Sequence, residues 1–208
     1  MEYSLTLVTP PLVEPITADE ANNYMRLDTP GVADAAFIAG LIKAARKYCE
    51  NFQHRAYITQ SWEMSLCEFP CAYNDRMNNS QNSDVIEIPM GNLQTIDSVK
   101  YTDSANTVHT LASNTDYIVS TRGILGRLSP VFSGIWTTSA LAPLDSVVIK
   151  FTCGYGLTPA TVPETAKQAM YMLISYWYDN RQAANQYIPK EIEFSVKALL
   201  MMDKISIL

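Results

Sequence analysis

The chain has 208 residues, 48% hydrophobic and 17% charged, with a formal net charge of −6. This is ample material for a core, in one domain or a domain carrying a large insertion, and it excludes a disordered or collagen-like chain. Acidity is concentrated between residues 59 and 158, where 9 acidic residues face 5 basic ones, and the absence of any Lys/Arg run argues against tight binding to nucleic-acid phosphates.

Residues 1–16 carry Pro10, Pro11 and Pro15 among apolar residues such as Leu5, Leu7 and Val13. Each proline lacks an amide donor and pushes the residue before it toward extended geometry, so this stretch reads as an extended N-terminal arm. Thr17, with Glu20 three residues on, forms a capping box that opens a short helix ending near Leu27. Asp28, Thr29, Pro30 and Gly31 break it. A longer amphipathic helix follows from Asp34 to Phe52. Phe37, Leu41, Tyr48 and Phe52 recur at helical spacing, Ile38, Ile42 and Cys49 widen the stripe, and Lys43, Arg46, Lys47 and Glu50 take the outer side.

At Ala56 the period changes. Tyr57, Thr59, Ser61 and Glu63 alternate with Ile58, Gln60, Trp62 and Met64, the pattern of a half-buried strand. An Asn-rich polar stretch around Asn74–Asn82 reads as a long loop. Further strands are predicted at 85–88, 96–102, 107–111, 116–119, 124–128 and 146–153, separated by turns rich in Asn, Gly and Ser, which together make an antiparallel sheet or small sandwich. Helical period returns over Pro163–Arg181, with Ala166, Met170, Leu173 and Trp177 on one stripe, and a last helix after Pro189 carries Ile192, Val196, Leu199 and Leu200. The apolar tail after Lys204 is unusual for a free end. The expected fold class is α+β: a small helical bundle core of about four helices, with an antiparallel β-rich subdomain inserted between the second and third. The corresponding divisions are an arm at 1–16, helical core at 17–56, β insertion at 57–158, and helical core with the tail at 159–208.

No residue pattern carries recognisable chemistry. His54 and His109 are the only histidines, and neither neighbours a nucleophile in a triad-like arrangement. Cys67 and Cys71 are one loose pair where a zinc site needs two, so the four cysteines read as reduced thiols. Adjacent acids such as Asp19 and Glu20 read as helix first-turn charges, and Gly154-Tyr155-Gly156 as a strand-to-helix turn lacking the Lys of a phosphate cradle. No catalytic, cofactor-binding or metal-binding residue is expected. No apolar run reaches bilayer-spanning length, and the first residues lack the basic segment of a signal peptide, so the expectation is a soluble, non-secreted protein with no membrane partner. The aromatic residues Tyr171, Tyr176 and Tyr178 point to different sides of one helix. They read either as core packing or as a subunit interface, where amphipathic rings are favoured. Together with Phe37, Leu41, Tyr48, Ile192, Val196 and Leu200 they make the candidate interface set.

The ordered series PITADEANNYMRLD, AFIAGLIKAARKYCENFQHRAYITQSWEMSL, IEIPMGNLQTIDSVKYTD, VVIKFTCGYG and VPETAKQAMYMLISYWYDNR resembles the tailed-phage head–tail connector family, also called head-completion or adaptor proteins. The resemblance runs from about Thr9 to Leu200. It implies a non-enzymatic virion protein at the head–tail junction, made in the host cytoplasm. It further implies a homo-oligomeric ring, dodecameric in the virion, that docks on the portal protein and extends the DNA channel, through which DNA passes without specific binding. A downstream neck or tail protein would attach to the ring. The segment after Pro189 would face the portal. The alternatives are another neck or tail-terminator protein, and an enzyme of unknown class using His54 or His109.

Overall fold

The computed structural model describes residues 3–27, 31–70, 84–137, 140–181 and 190–205. The Asn-rich stretch, Cys71, the side chain of Ile192 and the last three residues lie outside them. The fold is α+β, as expected, with four α-helices and two antiparallel sheets among the described residues. It divides into two compact units. A β unit comprises Met1–Pro10 and Gln60–Gly154, and a helical unit comprises Pro11–Thr59 and Tyr155–Leu208.

The β unit holds β1 (Tyr3–Thr9), β2 (Gln60–Leu66), β3 (Ile86–Ile88), β4 (Leu93–Thr102), β5 (Val108–Leu111), β6 (Tyr117–Ser120), β7 (Gly126–Pro130) and β8 (Val147–Cys153). A five-stranded sheet runs in the order β1-β2-β8-β4-β5, and a three-stranded sheet in the order β3-β7-β6. The first segment, read as an arm, is therefore also a sheet strand: Tyr3 to Leu7 pair with Leu66 to Trp62. Alternation sets the faces. Met64, Leu66, Val99, Val147, Ile149, Phe151 and Cys153 are buried on one side, while Glu63, Ser65, Ser98, Lys100 and Lys150 occupy the other. A Cβ on Gly126 of β7 would collide with the Leu93 side chain of β4, so the small sheet lies against the large one here. Phe69 stacks on Trp136 with ring centroids 4.9 Å apart, and the Trp136 indole N–H donates to the Asp84 carbonyl at 2.7 Å. Asn106 and Asn114 hold left-handed turn positions at φ 61, where Asn is tolerated.

The helical unit holds α1 (Ala18–Met25), α2 (Val32–Gln53), a 3₁₀ turn (Pro159–Thr161), α3 (Glu164–Asp179) and α4 (Lys190–Met201). The capping box of α1 is formed: the Glu20 amide donates to Thr17 Oγ1 at 3.2 Å and the Thr17 amide to Glu20 Oε2 at 2.7 Å. Ile38, Ile42, Ala45, Cys49, Ala166, Ala169, Met170, Ile174, Val196 and Leu200 form its core. Tyr57 and Ile58, which alternation assigned to the strand, belong to this core, and β2 begins only at Gln60. The reason is a polar network at the end of α2. The buried Glu50 carboxylate accepts the Tyr57 amide at 2.8 Å and Arg46 Nη1 at 2.8 Å, and Arg46 Nε also donates to Glu14 at 2.7 Å. The Tyr57 hydroxyl donates to Gln53 Oε1 at 2.6 Å, and Gln53 Nε2 donates to the Leu200 carbonyl at 2.8 Å. The Ile205 amide donates to the Gln53 carbonyl at 3.0 Å, and Ile205 itself is buried. The apolar tail is thus not bare at this residue.

Glu50 lies among buried groups that need its charge, so removing it strands them. Glu50→Ala is expected to lower unfolding free energy by about 2–4 kcal/mol. Glu50→Gln, which keeps an acceptor for the Tyr57 amide, should cost less. Urea melts followed by tryptophan fluorescence would check both.

Candidate functional site

His54 is the residue after α2, at φ 55, and its amide caps the helix by donating to the Glu50 carbonyl. His109, on β5, lies with Nε2 2.9 Å from Asp103 Oδ2 and its ring stacked on Tyr101 at 4.8 Å. Asp103 Oδ1 accepts the Ala105 and Thr107 amides, each at 2.9 Å, which ties the β4–β5 turn. The bond to His109, followed by the Thr107 amide, holds the Asp103 carboxyl below the ordinary aspartate value. Burial pushes the Cys49 thiol up to about 12, with the Glu50 charge adding to it, and the side chain is packed in the helical core. Among the described residues no group of three or more His, Cys, Asp or Glu is placed to hold a metal ion. Among the same residues no helix is long and apolar enough to cross a membrane.

What the surface does carry is aromatic and apolar. Tyr24 of α1 stacks on Tyr171 of α3 with centroids 5.2 Å apart and planes 16° apart. Tyr48 of α2 meets Trp177 of α3 edge-on at 6.3 Å. Phe37 and Tyr178 lie 6.2 Å apart, and the Arg181 guanidinium sits over both rings, at 4.8 and 4.5 Å, while bonding Asp34 at 2.7 Å. Tyr24 and Tyr48 are exposed, whereas Phe37, Tyr171, Trp177 and Tyr178 are half-buried against partners in their own chain. Tyr176 and Leu41 are likewise half-buried.

The α4 residues divide differently. Val196 and Leu200 are fully buried in the core of the helical unit and present no surface. The exposed side of α4 instead carries Phe194, 75% exposed, and Met201, 60% exposed, with Met202 just beyond the helix. Sequence reading followed the stripe through Ile192, Val196 and Leu200 and passed over Phe194 and Met201, which share a face seven residues apart. Their phase relative to that stripe was the available signal. On α2 the exposed side runs through Ala36, Gly40 and Ala44 to Tyr48, flanked by Lys43 and Lys47. In the β unit, Phe132 and Ile135, in the turn region after β7, are 98% and 76% exposed. Apolar side chains this bare exceed what scattered surface residues explain only where several share a face, and α4 meets that condition.

The described surface therefore presents aromatic and apolar side chains on helices and in a turn region. Solved chains that share this architecture include three from gene transfer agent particles. One, in the virion of a native gene transfer agent particle, aligns with a TM-score of 0.73 at 20% identity, over 98% of this chain and 97% of that one. This chain has the fold of a gene transfer agent particle protein. A second match lies in the neck of an empty gene transfer agent particle computed with C6 symmetry, at a TM-score of 0.74, 20% identity, and 99% and 97% coverage. A third, in the neck of the native particle computed with C12 symmetry, has a TM-score of 0.68 at 16% identity, over 100% and 98%. No protein-family model and no curated protein matches the chain.

The Asp103 contact gives a pH test. A carboxylate whose folded value is depressed contributes stability that is present above its unfolded value and is lost as pH falls through the folded one. The Ala105 and Thr107 amide resonances should therefore titrate together, with a midpoint below the ordinary aspartate value of 3.8. Asp103→Asn should abolish that step in a two-dimensional NMR titration.

Proposed function

We propose that the chain is a structural head–tail connector (head-completion or adaptor) subunit of a tailed phage, prophage or phage-derived particle. It assembles into a ring, twelvefold in the particle, that docks on the portal, extends the DNA channel and offers the next neck or tail protein its attachment surface. The observation that carries this reading is the fold match along essentially the whole chain to neck chains in reconstructions with C6 and C12 symmetry. Whole-chain coverage matters because it includes both the helical unit and the inserted sheets, so the likeness is not that of one common subdomain.

Physical chemistry is consistent with the role. A closed ring repeats each contact around its axis, so interfaces of modest size hold a durable assembly. Such interfaces use apolar and aromatic anchors on rigid elements, which α2, α3 and α4 supply at Tyr48, Tyr176 and Phe194. A net charge of −6 without a Lys/Arg run disfavours adhesion to DNA phosphates, as suits a channel that lets DNA pass. In this reading Tyr171, Tyr178, Phe37 and Leu41 brace the surface from inside, and Val196 and Leu200 hold α4 in place beneath its exposed face.

Purified protein should show a mass that rises with concentration toward a ring, by light scattering, and rings should appear in negative-stain micrographs, alone or with portal protein. Tyr48→Glu and Phe194→Glu are each expected to raise the concentration needed for association by roughly tenfold or more while leaving circular dichroism unchanged. A chain that stays monomeric at every concentration, and with portal present, overturns the proposal.

A further inference from the structure

We infer that β1 is an exchangeable arm. In the self-associated protein, Tyr3–Thr9 of one copy occupies the edge of β2 in a second copy, in the same register that it holds on its own chain. This deepens the proposed reading, since it rests on the chain associating with itself, and it names the segment that links neighbours.

Four observations carry it. The first is position. Among the described residues, β1 is the outermost strand of the large sheet and bonds to β2 alone. The apolar side chains buried in that sheet, Met64, Leu66, Leu93, Val99, Val147, Ile149, Phe151 and Cys153, all come from β2, β4 and β8, so the sheet keeps its core when the arm leaves.

The second is how thinly the arm is docked. None of its seven residues is buried, and Leu7 and Val8 are each about two-fifths exposed. Its register slips between Leu7 and Thr9. Trp62, opposite Leu7, has its indole Nε1 buried with no hydrogen-bond partner among the described residues.

The third is the tether. Beyond Thr9 the chain is anchored again at Glu14, which pairs with Arg46 at 2.7 Å, and at Pro15 and Ile16, both buried. Between them run Pro10, Pro11, Leu12 and Val13, with Leu12 89% exposed. Two adjacent prolines stiffen and extend such a link. A short link limits how the strand folds back on its own chain, and short hinge loops invite exchange of an element between copies.

The fourth fixes the occupant. The outer edge of a strand is a template for pairing, and proteins that guard it use charge, proline or a bulge. The sequence YSLTLVT has no charge or proline, and its one irregularity falls at its end, between Leu7 and Thr9. The β2 edge is complementary to one segment shown by the structure, which is β1: Tyr3 against Leu66, Leu5 against Met64, Thr6 against Glu63. An arm from a second copy brings the same backbone bonds and the same rows of side chains. Every bond broken on leaving is made again on arrival.

The test uses single cysteines placed at one register pair. Ser4 and Ser65 face each other across β1 and β2, so the variants are Ser4→Cys and Ser65→Cys, each in a background with Cys67→Ser and Cys71→Ser. The two proteins are mixed dilute, concentrated together, oxidised and run on non-reducing gels, with light scattering recording association in parallel. Exchange is expected to link Ser4→Cys chains to Ser65→Cys chains wherever the two are neighbours, which random mixing in equal amounts makes up to about half of the associated chains. The chain carrying both substitutions is expected to give a ladder of linked copies. Thr6→Cys with Glu63→Cys reads the same register two residues along and repeats the test should the first pair perturb folding. Association by light scattering, with the double variant closing wholly within single chains and no linkage in the mixture, overturns the arm exchange and leaves self-association standing. No association at any concentration overturns both.

Discussion

The fold depends on one constraint: the β insertion must leave the helical unit and come back to it by neighbouring paths. The chain meets that demand on both sides of the boundary. Within the β unit, Gln60 at the start of β2 pairs with Cys153 at the end of β8. Within the helical unit, the Thr59 amide donates to the Gly156 carbonyl at 2.9 Å, and the Tyr155 amide to the Tyr57 carbonyl at 3.0 Å. Outgoing and returning segments are therefore hydrogen-bonded to one another within each unit. The rest of the sheet grows outward from this β2–β8 pair, with β1 added on one flank and β4 and β5 on the other.

Much of this was legible from residues alone. The capping box at Thr17 and the apolar stripe from Phe37 to Phe52 are local signals, and local signals decide helices. The strands of the insertion were legible through alternation and through Asn at left-handed turn positions. Two elements were not, for the same reason. The first segment was read as an arm because prolines follow it, and only a partner 60 residues away makes it a strand. Tyr57 and Ile58 alternate like strand residues, yet Glu50 and Gln53 draw Tyr57 into the helical core. Pairing and burial set by distant residues leave no trace in a short window.

The surface was the least legible part. Val196 and Leu200 form the clearest stripe on α4, and a clear stripe is what a core-facing side looks like. Phe194 and Met201 sit off that stripe and are the residues left bare. Periodicity identifies the side of a helix that its own chain covers, so what a chain leaves open emerges only once the packing is known. The aromatic pairs on α1, α2 and α3 show the intermediate case. Each ring is spent partly on its own chain and partly available, which agrees with both readings that the sequence allowed.

Gln53 and Arg55 grip the last described stretch of chain by main-chain carbonyls, those of Leu200 and Asp203, and Ile205 returns its own amide to Gln53. A grip on peptide groups is indifferent to which side chains pass through it. Substitutions there can accumulate without loosening the clasp, provided that one apolar residue still fills the place of Ile205. Drift in composition and constancy of path are thus compatible at this end of the molecule.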